Sequence, residues 1–161
     1  MKNRSLVANA MLAALYVAVS GLIAPFGFTN VQFRVSEIFN HLVVFNKKFF
    51  FGIITGVFIA NLLFSPMRLY DIIFGTFHSA VSLGLVILLG RYIKNVMVLL
   101  VANTFIFSFN MFIIAFELYV ALDLPFMFSW YTAAIGEVVV LAIGIPIILA
   151  LNKQVHFDKL L

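Results

Sequence analysis

Five stretches of this chain, roughly 5–25, 49–66, 72–90, 95–119 and 128–152, are apolar over about the length a helix needs to cross a bilayer. No polar block between them is long enough to fold in water. With 65% hydrophobic and 10% charged residues among 161, the chain reads as a single integral membrane domain, 1–161, because a soluble domain carries about 25% charge. It has no cysteine, which removes disulfides, thiolate metal sites and a thiol nucleophile. Lys2 and Arg4 precede an apolar run from Leu6 to Phe28. That run exceeds the roughly 7–15 residues of a signal-peptide core, so we read it as an uncleaved first span.

A sixth apolar stretch, 35–47, is short, and either a tilted span or a re-entrant helix would fit its length. Charge decides between them. If all six stretches cross and the amino terminus is cytoplasmic, Lys2, Arg4, Lys47, Lys48, Arg91, Lys94, Lys153 and Lys159 fall inside and only Arg34 and Arg68 outside. If 35–47 does not cross, that bias collapses. The expectation is an all-α multi-pass membrane protein of six helices with both termini cytoplasmic. Turn residues agree: Pro25-Phe26-Gly27 ends the first span, Ser65-Pro66 the third, and Asp123-Leu124-Pro125 separates the fifth from the sixth.

In this topology five of the six acidic residues, Glu37, Asp71, Glu117, Asp123 and Glu137, lie in the outer half. Intramembrane charge is costly and marks partners or pathways. Glu137 is the deepest, and a carboxylate there has no cheap resting place. Spacing of seven places residues on nearly one helical face. It aligns Asn103, Asn110 and Glu117 on the fifth span, Trp130 above Glu137 on the sixth, and Asp71 with His78 on the fourth. Arg34, Glu37 and His41 share a face of the second, and Asn61 adds an amide from the third. One outward-opening pocket is the simplest target for these groups. For several of them a structural role stands beside the ligand role. Asp71 can be a helix N-cap, Arg34 and Glu37 an ion pair at the membrane edge, Glu117 a group reaching the outer headgroups, and Tyr131 part of an aromatic belt. Asn103 reads as an interhelical hydrogen bonder. His41 and His78 belong to no metal set.

Ala10, Ala14 and Ala18 form a ridge of small residues on the first span, and Gly52, Gly56 and Ala60 another on the third. Such ridges serve either internal packing or docking of another membrane protein. The chain has no phosphate loop, no HExxH pattern and no nucleophile elbow. It is therefore not expected to hydrolyse ATP, no cofactor or metal is implied, and the scattered basic residues give no nucleic-acid signal.

The segment Val31-Gln32-Phe33-Arg34-Val35-Ser36-Glu37 resembles the signature of the QueT family, substrate-binding S components of energy-coupling factor transporters. The likeness continues through Ala60-Asn61-Leu62-Leu63-Phe64-Ser65-Pro66, Tyr70-Asp71-Ile72-Ile73-Phe74-Gly75, Phe116-Glu117-Leu118-Tyr119, Leu124-Pro125-Phe126, and Gly136-Glu137 followed by Gly144-Ile145-Pro146. Thr76-Phe77-His78 departs from it, where small or apolar residues are expected. The resemblance implies an S-component-like bundle in the cell membrane that captures a queuosine precursor outside, such as 7-aminomethyl-7-deazaguanine. It also implies a transmembrane coupling subunit (T component), met through the alanine ridge, and two cytoplasmic ATPases as partners. The acidic residues suit such a ligand. One carboxylate accepts the ring N–H and exocyclic amine together, and a second takes the ammonium. Glu137 is expected at the guanine-like edge and Glu37 or Asp71 at the ammonium. Arg34 or an asparagine would donate to the ring carbonyl, with Trp130 stacking on the ring. The alternatives are an S component for another small heterocycle or vitamin, a small membrane enzyme, and a ligand-free structural subunit.

Overall fold

A computed structural model describes residues 2–24 and 32–160. Pro25-Phe26-Gly27, expected to end the first span, lies outside the described residues, as do Asn30 and Val31. Six helices traverse the bundle: α1 (Lys2–Leu22), α2 (Val35–Phe45), α3 (Phe50–Phe64), α4 (Leu69–Leu89), α5 (Val96–Leu122) and α6 (Phe126–Val155). A single turn, α7 (Phe157–Leu160), follows. The five long helices are each long and apolar enough to cross a membrane, and α2 is a shorter apolar helix among them.

The boundaries follow local chemistry. Ser65 is extended (φ −73°, ψ 133°), as a residue before proline prefers, and α3 stops there. Asp123 adopts the left-handed conformation (φ 55°, ψ 30°) and closes α5. Aspartate tolerates this region better than most residues. Asn95 opens α5 by accepting from the Val98 N–H at 3.1 Å. Within α5 the ladder breaks at Met111, between Val96–Asn110 and Phe112–Leu122. The Thr104 and Ser108 hydroxyls each donate back to the carbonyl four residues earlier, a pattern that bends helices.

Packing between α1 and α3 settles the path of α2. A Cβ on Gly52 would meet the Asn9 carbonyl oxygen at 2.8 Å, one on Gly56 the Tyr16 Cβ at 2.7 Å, and one on Gly21 the Phe64 ring at 2.8 Å. Residue numbers rise together along both helices, so α1 and α3 run parallel. The chain between them must return across the bundle, and α2 makes that return. Its start lies level with the end of α1, where the Ser20 hydroxyl donates to the Ser36 hydroxyl at 2.7 Å. Its end lies level with the carboxyl-terminal turn, where Phe45 and Phe49 pack on Phe157.

Eleven residues suffice because Val35–His41 is a 3-10 helix and only Leu42–Phe45 is α-helical. At about 2.0 Å per 3-10 residue and about 1.5 Å per α residue, α2 covers about 20 Å. The end that gathers Phe45, Phe49 and Phe157 also holds Lys47, Arg91 and Lys94 around one recess. The positive-inside rule assigns that end to the cytoplasm. The apolar core, with Ile53, Val57, Leu83, Val86, Phe107, Leu141 and Ile148 at its centre, fills much of the bundle. A smaller cluster of Met111, Ile114, Leu118 and Ala133 sits beside the polar outer half.

Candidate functional site

Three helices meet at Arg34. The residue precedes α2 in extended conformation (φ −94°, ψ 91°), which turns its side chain away from the helix and across to α3 and α4. One guanidinium nitrogen donates to Asn61 Oδ1 at 3.2 Å, and the other donates to and ion-pairs with Asp71 Oδ1 at 2.8 Å. The second Asp71 oxygen accepts from the Ser65 hydroxyl. Asn61 Nδ2 donates to the Asp71 backbone carbonyl at 2.8 Å. Gly75 leaves room for this clasp, since a Cβ there would stand 2.6 Å from Asn61 Nδ2. The expected Arg34–Glu37 pair is thus replaced by a pair across 37 residues of chain. Asp71 is no N-cap; it lies in the first turn of α4 and bonds to other elements. A carboxylate in a first turn is also favoured by the helix dipole.

Glu37 has a different set of partners. Tyr16 on α1 donates its hydroxyl to Oε1 at 2.7 Å, and Asn40 donates its amide to Oε2. The face expected to carry Arg34, Glu37 and His41 does not form, because a 3-10 helix has three residues per turn. Residue 40, not 41, stands over Glu37. His41 turns instead to α5 and α6, its Nε2 2.9 Å from the Leu141 carbonyl and its Nδ1 2.9 Å from the Asn103 amide. A carbonyl only accepts, so Nε2 carries the proton and Nδ1 accepts from Asn103. Asn103 is thereby an interhelical hydrogen bonder. His78 Nε2 meets the Phe107 carbonyl at 3.2 Å, and donates to it for the same reason.

Two carboxylates remain without such partners. Glu137 on α6 has no exposed surface, and neither of its oxygens has a hydrogen-bond partner; its charged neighbours are Glu37 and Arg34. Glu117 on α5 is equally buried. Its charged neighbours are Asp71 and Arg34, and neither oxygen meets a donor. Burying a carboxylate without compensation is among the costliest things a protein does. Two such groups stand beside a buried cation as acceptors for which the protein supplies no donor. A crevice of about 10 Å³, lined in part by Tyr16, Ser20, Arg34 and Asn61, lies beside the guanidinium at the outer end. That is room for about one water.

Arg34, Glu37, Asn61, Asp71, Glu117 and Glu137 therefore come together. Asn110 and Trp130 are engaged elsewhere. Asn110 donates to the Ser82 hydroxyl at 2.9 Å. Trp130 donates its indole N–H to the Phe109 carbonyl at 3.0 Å, and its ring packs on Phe109, Phe112 and Phe126. With Met127 and Tyr131 it lines an apolar groove of about 410 Å³ on the outside of the bundle. Tyr16, Asn40 and Ser65 complete the network and were not foreseen. Asn40 follows Glu37 by one 3-10 turn. Tyr16 shares a face of α1 with Asn9, seven residues earlier, which accepts from the Gly52 N–H at 2.8 Å. That polar face was the legible signal.

Residues 6–153 match the family model described as QueT transporter. The chain belongs to the QueT transporter family. It is 34% identical to the queuosine precursor transporter QueT of Lactococcus lactis subsp. cremoris (strain MG1363), over 98% of each chain. No solved structure matches it. Family membership makes this chain a membrane transporter protein rather than an enzyme, and the resemblance read from its motifs holds over nearly its whole length.

The clasp predicts a stability signature. Arg34→Ala leaves Asp71 buried and unpaired, which should cost about 3–5 kcal/mol. The double replacement Arg34→Met with Asp71→Leu should recover most of that loss. Denaturation in micelles measures both; an Arg34→Ala variant as stable as the parent would refute the clasp.

Proposed function

We propose that this protein is the substrate-capturing subunit (S component) of an energy-coupling factor importer, and that its cargo is a queuosine precursor, 7-aminomethyl-7-deazaguanine or a related deazaguanine. The observation that carries this reading is Glu137: wholly buried, in the outer half, with both oxygens unpartnered. A deazaguanine offers a ring N–H and an exocyclic amine side by side, and a carboxylate accepts both in one bidentate, charge-assisted contact. Arg34 and Asn61 lie on the same side of the bundle to donate to the ring carbonyl. The Lactococcus lactis relative, a queuosine precursor transporter, supports the same cargo.

The aminomethyl group is a cation and needs its own carboxylate. Glu37 and Asp71 are less suited than first expected. Each already accepts from two side chains: Tyr16 and Asn40 for Glu37, Arg34 and Ser65 for Asp71. Glu117 has both oxygens open and a second carboxylate, Asp71, beside it. We assign the ammonium to Glu117, with Asp71 adding negative field and Glu37 shaping the wall. Stacking by Trp130 has no support from its aromatic surroundings.

Uptake requires an energy source this chain does not carry. We assign it to a transmembrane coupling subunit and two cytoplasmic ATPases. Ala10, Ala14 and Ala18 are all exposed along one ridge of α1, whereas Gly52 and Gly56 on α3 are filled by α1. A ridge of small residues open to lipid lets a partner helix approach closely.

Calorimetric titration of the purified protein tests the cargo. Glu137→Gln should weaken binding of 7-aminomethyl-7-deazaguanine about a hundredfold, the scale of about 3 kcal/mol for truncating a buried charged contact. Glu117→Gln should weaken that ligand similarly but spare 7-cyano-7-deazaguanine, which lacks the ammonium. Unchanged affinity in Glu137→Gln would defeat the assignment. For the assembly, Ala14→Trp should abolish copurification of the ATPases while leaving precursor binding intact; ATPases that still copurify would remove α1 as the docking face.

A further inference from the structure

The cytoplasmic end carries a second recess unrelated to the outer carboxylates. It occupies about 390 Å³ between the end of α2, the end of α4 and the start of α5, and Lys47, Arg91 and Lys94 line it. No aspartate or glutamate lines it, and among the described residues the ion pair present is Arg34–Asp71, at the opposite end of the bundle. The Lys94 ammonium donates to the Gly90 carbonyl at 3.2 Å, which holds it at the recess. Between the cations the walls are apolar, with Val86, Ile87 and Leu99 among them. Lys47 and Ile87 also line an adjoining apolar groove of about 290 Å³ with Lys48, Phe50 and Phe51. Phe51 is 69% exposed on the flank of the bundle.

Three cations brought to one recess by two connections, Lys47 from the one after α2 and Arg91 and Lys94 from the one between α4 and α5, ask for an anion. A free inorganic anion would use the cations and leave the hydrocarbon walls unused. A phosphodiester joined to acyl chains uses both, with the headgroup among Lys47, Arg91 and Lys94 and a chain leaving past Ile87 along Phe50 and Phe51. We propose that this recess binds the headgroup of an anionic phospholipid of the cytoplasmic leaflet. Basic recesses between helices on that side are suited to such headgroups, each cation contributing about 1 kcal/mol. The site stands independently of the cargo, since it shares no residue with the outer carboxylate group.

The test uses the full chain in neutral detergent, titrated with short-chain phosphatidylglycerol and phosphatidylcholine and read by native mass spectrometry and melting temperature. Phosphatidylglycerol should be preferred. Each of Lys47→Gln, Arg91→Gln and Lys94→Gln should lower that preference about fivefold, the equivalent of about 1 kcal/mol. Lys153→Gln, an equal charge change at the same end outside the recess, should leave it unchanged, as should inorganic phosphate at the same concentration. Equal binding of the two lipids, or a loss in Lys153→Gln as large as in the recess variants, would overturn the proposal. So would full competition by inorganic phosphate, which would make this a site for a soluble phosphate ligand. A preference that survives all three recess substitutions would overturn it too, leaving the recess to an acidic segment of another protein.

Discussion

Arg34 is drawn into the outer half of the bundle by Asp71 and Asn61, and the polar half of the molecule is arranged around that contact. The guanidinium is the buried cation that faces Glu117 and Glu137, and Asn61 on α3 and Asp71 on α4 hold it. A charge held away from water persists only when its field and its hydrogen bonds are answered. Here the protein answers the cation and leaves two carboxyl groups without donors. Buried ion pairs contribute little net stability against well-packed apolar residues. A clasp of this kind is better explained by what it positions than by what it stabilises.

The long apolar helices were legible because lipid imposes length and hydropathy on any chain that crosses it. The crossing of α2 was legible only through charge. Its 13-residue apolar stretch (35–47) looked too short, and the lysines and arginines at the span ends required a crossing. What the sequence concealed was the 3-10 geometry, which stretches α2 to fit and rotates His41 away from Glu37. An α-helical period assumed there gave the wrong neighbours. The same assumption made one stripe of Asn103, Asn110 and Glu117. In the fold these residues serve His41, Ser82 and the Arg34–Asp71 group respectively, because helices around them differ along the length of α5. The Arg34–Asp71 pair joins residues far apart in the chain, and no local pattern encodes it.

Charge placement divides the molecule by task. The outer half keeps its carboxylates buried around Arg34, while the cytoplasmic end keeps cations beside hydrocarbon walls. The flank of α1 keeps small side chains exposed where its neighbour α3 uses the same kind of ridge for internal contact. In the proposed account, capture, anchoring and partner contact fall on separate surfaces, and cargo binding completes the outer half by supplying donors that the protein itself withholds from Glu117 and Glu137.

A structure of the protein with 7-aminomethyl-7-deazaguanine bound tests that account most directly. The account predicts both Glu137 oxygens within about 2.7–2.9 Å of the ring N–H and the exocyclic amine, the range of charge-assisted contacts, with the ammonium against Glu117. A bound ligand that leaves Glu137 unpartnered, or that sits outside the group formed by Arg34, Glu117 and Glu137, would contradict it.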